Sequence, residues 1–566
     1  MSETKKYSWR DLADALKQRN SLAMFVLGFS AGLPYVLITG TLNAWFTNEN
    51  ISVATIGVFS WIIIIYSFKF LWSPAVDRAP TPRLFNMGQR RATILLLQGV
   101  ILLCLLTIST VEPTTQIGLI AIAAIVCTFA SASQDVLIDA WRIEVADERI
   151  SIDLLSAVYQ LGYRTSVILG GAGALIIAAR IGWNDTFVAL SLLMGAAISG
   201  VMIAGDSEII RRARKAGDAP PAQWRNLALT PVILGWAWSF AALFGFMAFA
   251  LKSPGEANAR AFTMETGPFI IIASIIAPVI ASAAMLYVHR KHPAPTTAEK
   301  PWPAQRAFDA LYGSVLAPMA DIIDRLGWGS LLVLIVALSY RFTDLIWGAF
   351  AYPFYLGENY GALGHTLDEV AIASKLFGAL MTFVGIGVGG ALILRIGRMP
   401  CLVAGAVLAA ATNLLFADLA TGGAGTDAFM AATGLYGAFS AIQPLATFLH
   451  LDVTVDEALA RLMVVIAAEN LAVGFASAAI VVYLSAIVNR QFAAVQYALL
   501  ASLGFLLGSL GRGAIGELIE LRGFAFVFYL TAALGLVAVA ATSLEWLRLS
   551  REKRRENVAA RPAPAE

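Results

Sequence analysis

Long apolar runs alternate with short charged connections along this chain, and most of the runs share one length. Stretches able to cross a hydrocarbon core of ~30 Å as helices lie at 21–45, 53–73, 92–110, 116–141, 154–179 and 185–205. Two more lie at 229–251 and 267–288, and a last group at 329–352, 368–394, 400–419, 460–487, 494–517 and 525–547. The pattern predicts an all-α polytopic membrane protein of fourteen spans, grouped six, two and six. The apolar run at 429–449 is left out of this count, because including it would put Arg490 and the basic tail on the outer side. The segment 420–459 therefore reads as an external insertion with a re-entrant or surface-lying helical piece. A true crossing is the alternative reading.

Composition supports the membrane class. Hydrophobic residues make up 58% of the chain and charged residues 14%, with mean hydropathy +0.72, outside the range of a soluble domain of this size. The distribution of cations sets the orientation. Arg78, Arg83, Arg90 and Arg91 follow the second span, Arg211, Arg212, Arg214 and Lys215 the sixth, and Arg290 and Lys291 the eighth. Arg395 and Arg398 follow the tenth, and Arg551, Lys553, Arg554 and Arg555 close the chain, whereas the other side holds Arg180, Lys252, Arg260 and Arg522. The positive-inside rule then places both termini in the cytoplasm. The first run lacks a cleavage signature and reads as a retained span.

The resulting organisation has a cytoplasmic segment 1–20, a six-helix bundle 21–205 and a linker 206–228. Two extra spans follow over 229–288, then a cytoplasmic amphipathic linker 289–328. A second bundle, 329–547, carries the insertion, and a basic tail occupies 548–566. Cys104, Cys127 and Cys401 sit in apolar stretches at unrelated spacings and read as small core residues, with no disulfide framework and no metal site.

Chemistry concentrates in Ser131-Ala132-Ser133-Gln134-Asp135-Val136-Leu137-Ile138-Asp139-Ala140-Trp141, which continues an uncharged run from 117 to 130. A spacing of four puts Asp135 and Asp139 on one helical face. Unpaired carboxylates at that depth cost several kcal/mol, so they must face protein or a wet cavity. Such a cavity points to transport. The histidines map to loops or span ends, there is no phosphate-binding Walker loop, and no catalytic constellation assembles. The chain reads as a non-enzyme with no cofactor, and the proton gradient is the remaining driver.

Six spans plus six around a central linker is the plan of the major facilitator superfamily, and Asp77-Arg78 followed by Gly88-Gln89-Arg90-Arg91 looks like its charged loop motif. Local motifs are more specific. Gly28-Phe29-Ser30-Ala31-Gly32-Leu33-Pro34 leads into Gly40-Thr41-Leu42-Asn43-Ala44-Trp45, and Thr55-Ile56-Gly57 into Phe68-Lys69-Phe70-Leu71-Trp72-Ser73-Pro74. With Ser131 to Trp141 and Leu161-Gly162-Tyr163-Arg164, they resemble the AmpG family, bacterial permeases for the anhydro-muropeptides of cell-wall turnover. The resemblance is close over the first six spans and sparser later, at Arg341 to Asp344, Lys375, Asn413, Glu469-Asn470 and Gln496 to Leu500. It implies a muropeptide substrate, a bacterial inner-membrane location and a monomer in the lipid bilayer, with no nucleic-acid partner. An acyl-CoA or sugar porter, a membrane-embedded enzyme of cell-wall or lipid metabolism, and a non-transporting sensor are the competing readings.

In that superfamily the first and fourth helices of each half line the cavity, which assigns the remaining candidates. Proton coupling falls to Asp135, Asp139 and Glu469. Asp135 has an alternative as a buried partner of Arg164, Arg142 or Arg341, and Asp139 as a gate latch with Arg142 or Arg164. Asn43 and Gln134, as sugar-facing amides, are assigned to the sugars, and Trp45, Tyr66 and Tyr163 to stacking on sugar rings. Arg164, Tyr340, Arg341, Asp344, Lys375 and Asn470 complete the substrate set. Arg341 and Lys375 either hold substrate carboxylates or neutralise Asp344 and Glu469. Asp77, Arg78, Arg90 and Arg91 are assigned to gating, and Lys69 to snorkelling.

Overall fold

Away from water, a spanning backbone must satisfy its own hydrogen bonds, so the apolar runs fold as helices. The computed structural model describes residues 17–69, 72, 76, 87–145, 152–206, 222–253, 256–291, 303–441, 443–448, 453–489 and 493–559. Every regular element among them is helical. The long helices are α1 (Arg19–Asn48), α2 (Val53–Ser67), α3 (Gln89–Ser109), α4 (Pro113–Val145), α5 (152–181) and α6 (Trp183–Ile203). After them come α7 (Ala222–Lys252), α8 (277–291, entered through 267–276), the amphipathic α9 (303–326) and α10 (Gly329–Leu356). The chain continues with α11 (367–396), α12 (Arg398–Ala420), the short α13 to α15 (Ala424–Thr433, Leu435–Ser440, Gln443–Phe448), α16 (Glu457–Ile487) and α17 (Ala493–Ala559).

Twelve helices among the described residues are long and apolar enough to cross a membrane, so the expected count of fourteen is not reached. The shortfall has two local causes. Helix α2 is short and is interrupted by a 3-10 turn at Ser60–Ile63. The stretch 493–559 is two helices that follow one another through a single non-helical residue, Gly523. Its φ of +79° and ψ of 168° nearly match Gly182 and Gly397, where separate helices meet, so the stretch counts once although it holds two of the expected spans. Within 420–459 only short helices form, none of spanning length among the described residues.

The chain forms two compact units. One takes Met1–Ser52, Ile62–Arg214 and Thr366–Leu376, the other Val53–Trp61, Lys215–His365 and Phe377–Glu566. In the first unit α1 lies along α5 with backbones nearly touching: a Cβ on Gly28 would fall 2.3 Å from the Tyr159 carbonyl oxygen, and one on Gly162 2.0 Å from that of Phe25. This is the small-residue contact of membrane helix pairs. Pro34 donates no backbone N–H, and the turn just after it, Leu37–Thr41, is wound as π-helix. Segment 366–376 joins this unit through Arg180 at the end of α5, whose guanidinium makes two 3.1 Å bonds to the buried Asp368 carboxylate.

In the second unit, α11 and α16 repeat the same device. A Cβ on Gly385 would lie 2.2 Å from the Leu471 carbonyl oxygen, and one on Gly474 2.2 Å from that of Thr382. Segment 53–61 belongs here: the Ala54 N–H donates to Glu520 at 2.9 Å, and Trp61 packs on Phe246 and Phe262. Helices α7 and α8 meet where the Trp236 indole N–H donates to the Ser274 carbonyl. Helix α9 buries Val315, Leu316, Met319 and Ile322 while exposing Asp324 and Arg325, as an amphipathic helix should.

Candidate functional site

The first unit gathers a carboxylate, an ammonium and four tyrosines. Helix α4 presents Ser131, Asp135 and Asp139 at successive turns of one face. The end of α2 supplies Tyr66, whose hydroxyl donates to Ser131 Oγ at 2.9 Å, and Lys69, whose Nζ stands 3.5 Å from Asp135 Oδ2. Asp135 is 15% exposed and Lys69 34%, so the pair is reachable from outside the helix packing. The other carboxylate oxygen, Oδ1, is buried and accepts no hydrogen bond among the described residues. Tyr35 of α1 meets Tyr66 edge-on at 5.4 Å and Tyr163 at 6.4 Å, and Tyr159 continues the row. One turn beyond Asp135, Asp139 pairs with Arg142 at 2.9 Å, and that guanidinium lies over the Tyr159 ring.

Several expected site residues lie elsewhere. Gln134 is fully buried and points at Ser30, which also receives the Gln98 amide at 3.0 Å. Trp45 is 1% exposed, stacked on Trp183 and against Phe187, so no face is open to a sugar ring. Asn43, likewise buried, turns its amide back to the Thr39 carbonyl. Tyr163 is half-buried beside Tyr35, and Arg164 next to it is exposed on α5. The cation that faces Asp135 at 3.5 Å is Lys69, the residue assigned to snorkelling.

In the second unit, Arg341 pairs with Asp344 of its own helix at 3.1 Å and donates to Ser477 at 2.9 Å. The Thr343 hydroxyl donates to the other Asp344 oxygen. Tyr340 is 2% exposed and its hydroxyl ends on the Leu402 carbonyl, inside a hydrophobic cluster. Glu469 accepts from the Asn470 amide at 3.1 Å, and Asn470 receives the Thr382 hydroxyl. Lys375, in the segment assigned to the first unit, lays its stem against Gly171 of α5.

The gating candidates divide. Asp77 and Arg78 lie outside the described residues. Arg90 forms a two-bond fork with Glu144 at 2.7 and 2.6 Å, both side chains being under 10% exposed. Arg91 donates to the Val201 and Met202 carbonyls and to Asp206, joining the start of α3 to the end of α6. The Gly88 N–H and Arg91 hold the Asp206 carboxyl below the usual range.

Sequence reasoning missed Tyr35, Lys69, Ser131, Glu144 and Asp368. Lys69 carried a usable signal, because it stands three residues after Tyr66 and so shares its face. Asp368 did not, since its partner Arg180 is remote in sequence.

No family model matches the chain. The Escherichia coli (strain K12) anhydromuropeptide permease is 28% identical over 547 residues, 94% of this chain and 82% of that protein. A Rickettsia felis protein named putative transporter AmpG 4 is 23% identical across 91% of this chain and 94% of its own. Among solved structures, the POT family transporter PepTSo superposes with TM-score 0.57 at 11% identity, covering 96% of this chain and 99% of that one. The fold is therefore the major facilitator fold, and the chain is a multi-pass membrane transporter that resembles the AmpG permeases along nearly its whole length.

Proposed function

We propose that this AmpG-like transporter is a proton-coupled importer of anhydro-muropeptides, the N-acetylglucosamine–anhydro-muramic acid disaccharide with or without its peptide, in the bacterial inner membrane. The carrying observation is the Asp135 site: a carboxylate at membrane depth with one long contact to Lys69 and one unbonded oxygen, beside Tyr66 and Tyr163. An intramembrane ionisable group that is accessible but incompletely paired is fitted to load and release a proton. Each proton crossing the whole field supplies about 2.3 kcal/mol per 100 mV. Support for the substrate comes from the name of the E. coli relative and from the tyrosine row, whose flat faces suit sugar rings. Asp139 and Glu469 are secondary candidates for the proton. Arg164 and Arg341 are assigned to the substrate's carboxylates, since guanidinium forks bind them bidentately. We read the protein as a monomer with both termini cytoplasmic and no cofactor.

The test is uptake of labelled anhydro-disaccharide-peptide into membrane vesicles, with and without an uncoupler. Accumulation that the uncoupler abolishes is expected. Accumulation indifferent to it removes proton coupling, and uptake of free sugars or acyl-CoA in its place removes the substrate. Arg341→Ala should weaken uptake of peptide-bearing substrate more than of peptide-free disaccharide. An equal loss of both, together with poor expression, would make the Arg341–Asp344 pair purely structural.

A further inference from the structure

A cavity of about 400 Å³ opens in the second unit, walled by α8, α9, α10 and α17. Its volume is that of a small-molecule site, yet its lining is hydrocarbon: Ala283, Met319, Ile322, Val333, Leu334 and Leu500 represent all four walls. The Ser330 hydroxyl among them is already spent on the Gly327 carbonyl. With little beyond one hydroxyl oxygen to accept a bond, a sugar or peptide has almost nothing to bond there, and burying one would leave most of its hydroxyls or amides unsatisfied. The occupant must be a hydrocarbon chain.

The rim identifies what that chain is attached to. Ile323 and Gly327 line the cavity, and Asp324 between them is paired with Arg290 at the end of α8. Trp328, also lining the cavity, is 92% exposed. A tryptophan beside a basic residue at the end of a membrane helix marks the headgroup level. The Arg290–Asp324 couple offers one cation and one anion together. That complements a headgroup carrying both charges, with its phosphate toward Arg290 and its ammonium toward Asp324.

We propose that this groove is a binding site for one zwitterionic bilayer phospholipid, its acyl chain lying between α8, α9 and α10 and its headgroup on the Arg290–Asp324 pair. The site is separate from the Asp135 cluster and does not depend on the muropeptide reading. A lipid seated there would bridge the amphipathic α9 to the extra spanning helix α8, filling space that protein side chains leave empty.

Native mass spectrometry on the full-length protein, stripped of lipid in detergent and titrated with dioleoyl phosphatidylethanolamine, tests it. One saturable phospholipid is expected, bound at least tenfold more tightly than dioleoyl phosphatidic acid. Ala283→Trp, which fills the groove, should remove that site. The double change Arg290→Ala with Asp324→Ala alters only exposed side chains and should abolish the headgroup preference while thermal unfolding stays unchanged. Unaltered lipid binding in Ala283→Trp with a normal unfolding temperature would overturn the proposal. So would a headgroup preference that survives the double change, or occupation of the groove by detergent alone.

Discussion

Asp135 and Asp344 are both intramembrane aspartates beside a cation, and their exposure is almost equal at 15% and 13%. Burial does not distinguish them; the origin of the cation does. Arg341 stands three residues before Asp344 on the same helix, so the ion pair itself is set within α10, with Arg341 also donating to Ser477 of α16. Lys69 reaches Asp135 from a different helix at 3.5 Å, and any change in the spacing of α2 and α4 alters the charge that Asp135 sees. Asp344 also has both oxygens engaged, while Asp135 has one without a partner among the described residues. A carboxylate tied locally is suited to structure. One tied across helices is suited to being released, which is what coupling a proton to a conformational cycle requires.

The largest expected effect breaks this comparison directly. Asp135→Asn should abolish gradient-driven accumulation in vesicles while leaving a folded, inserted protein, whereas Asp344→Asn should keep substantial accumulation and lower thermal stability. The reverse pattern would exchange the two roles. Next comes Arg90→Ala, which removes the two-bond fork to Glu144 in a site where both partners are nearly inaccessible. Removing one partner of a buried pair costs about 3–5 kcal/mol, so the unfolding midpoint should fall sharply; a small fall would show that this cross-helix pair is as replaceable as a surface one. Lys69→Met should cut uptake about tenfold, equivalent to roughly 1.4 kcal/mol, with Lys69→Arg restoring part of it. Equal uptake by wild type and Lys69→Met would make the 3.5 Å contact incidental.

The smallest effect concerns pH. The Asp206 carboxyl is held below its ordinary range by the Gly88 N–H and then by Arg91. A depressed folded value means that its stabilising contribution is present above the unfolded pKa of about 3.9 and is lost as pH falls through the folded value. The side chain is 55% exposed, so the contribution is small, about 0–1 kcal/mol. Asp206→Asn should flatten the fall in melting temperature below pH 4 and change little at pH 7. Asp321 behaves in the same sense: burial acts to raise it, but donors from Gln496, Arg325 and Asn489 outweigh burial and hold it low.

Local relations were legible in the sequence and cross-helix ones were not. The pairs Asp139–Arg142 and Arg341–Asp344 follow from a spacing of three on one helix, and each is found at that spacing. Most spans follow from hydropathy alone. What hydropathy does not carry is which way a polar or aromatic residue turns. Gln134, Trp45 and Tyr340 stand in the expected helices but face the packed interior, since the direction is set by neighbours far away in sequence. The partner of Asp135 was misread for the same reason, because α2 reaches α4 across 66 residues. The helix count differs where a helix is interrupted, at Ser60–Ile63, and where two helices are joined through one non-helical residue, Gly523.

The glycine contact between α1 and α5 has a consequence for how the protein is made. Gly28 and Gly162 let two backbones touch, but 134 residues of chain separate them. At about 5–20 residues per second of synthesis, the helix that closes this contact leaves the ribosome about 7–27 seconds after α1. Through that interval α1 resides in the bilayer with its smooth glycine face uncovered, among the helices most dependent on later partners, since 72% of its apolar window ends up buried. A chain halted before α5 is therefore a substrate for membrane quality control, and stalled fragments ending near residue 145 should be degraded faster than fragments ending near residue 206.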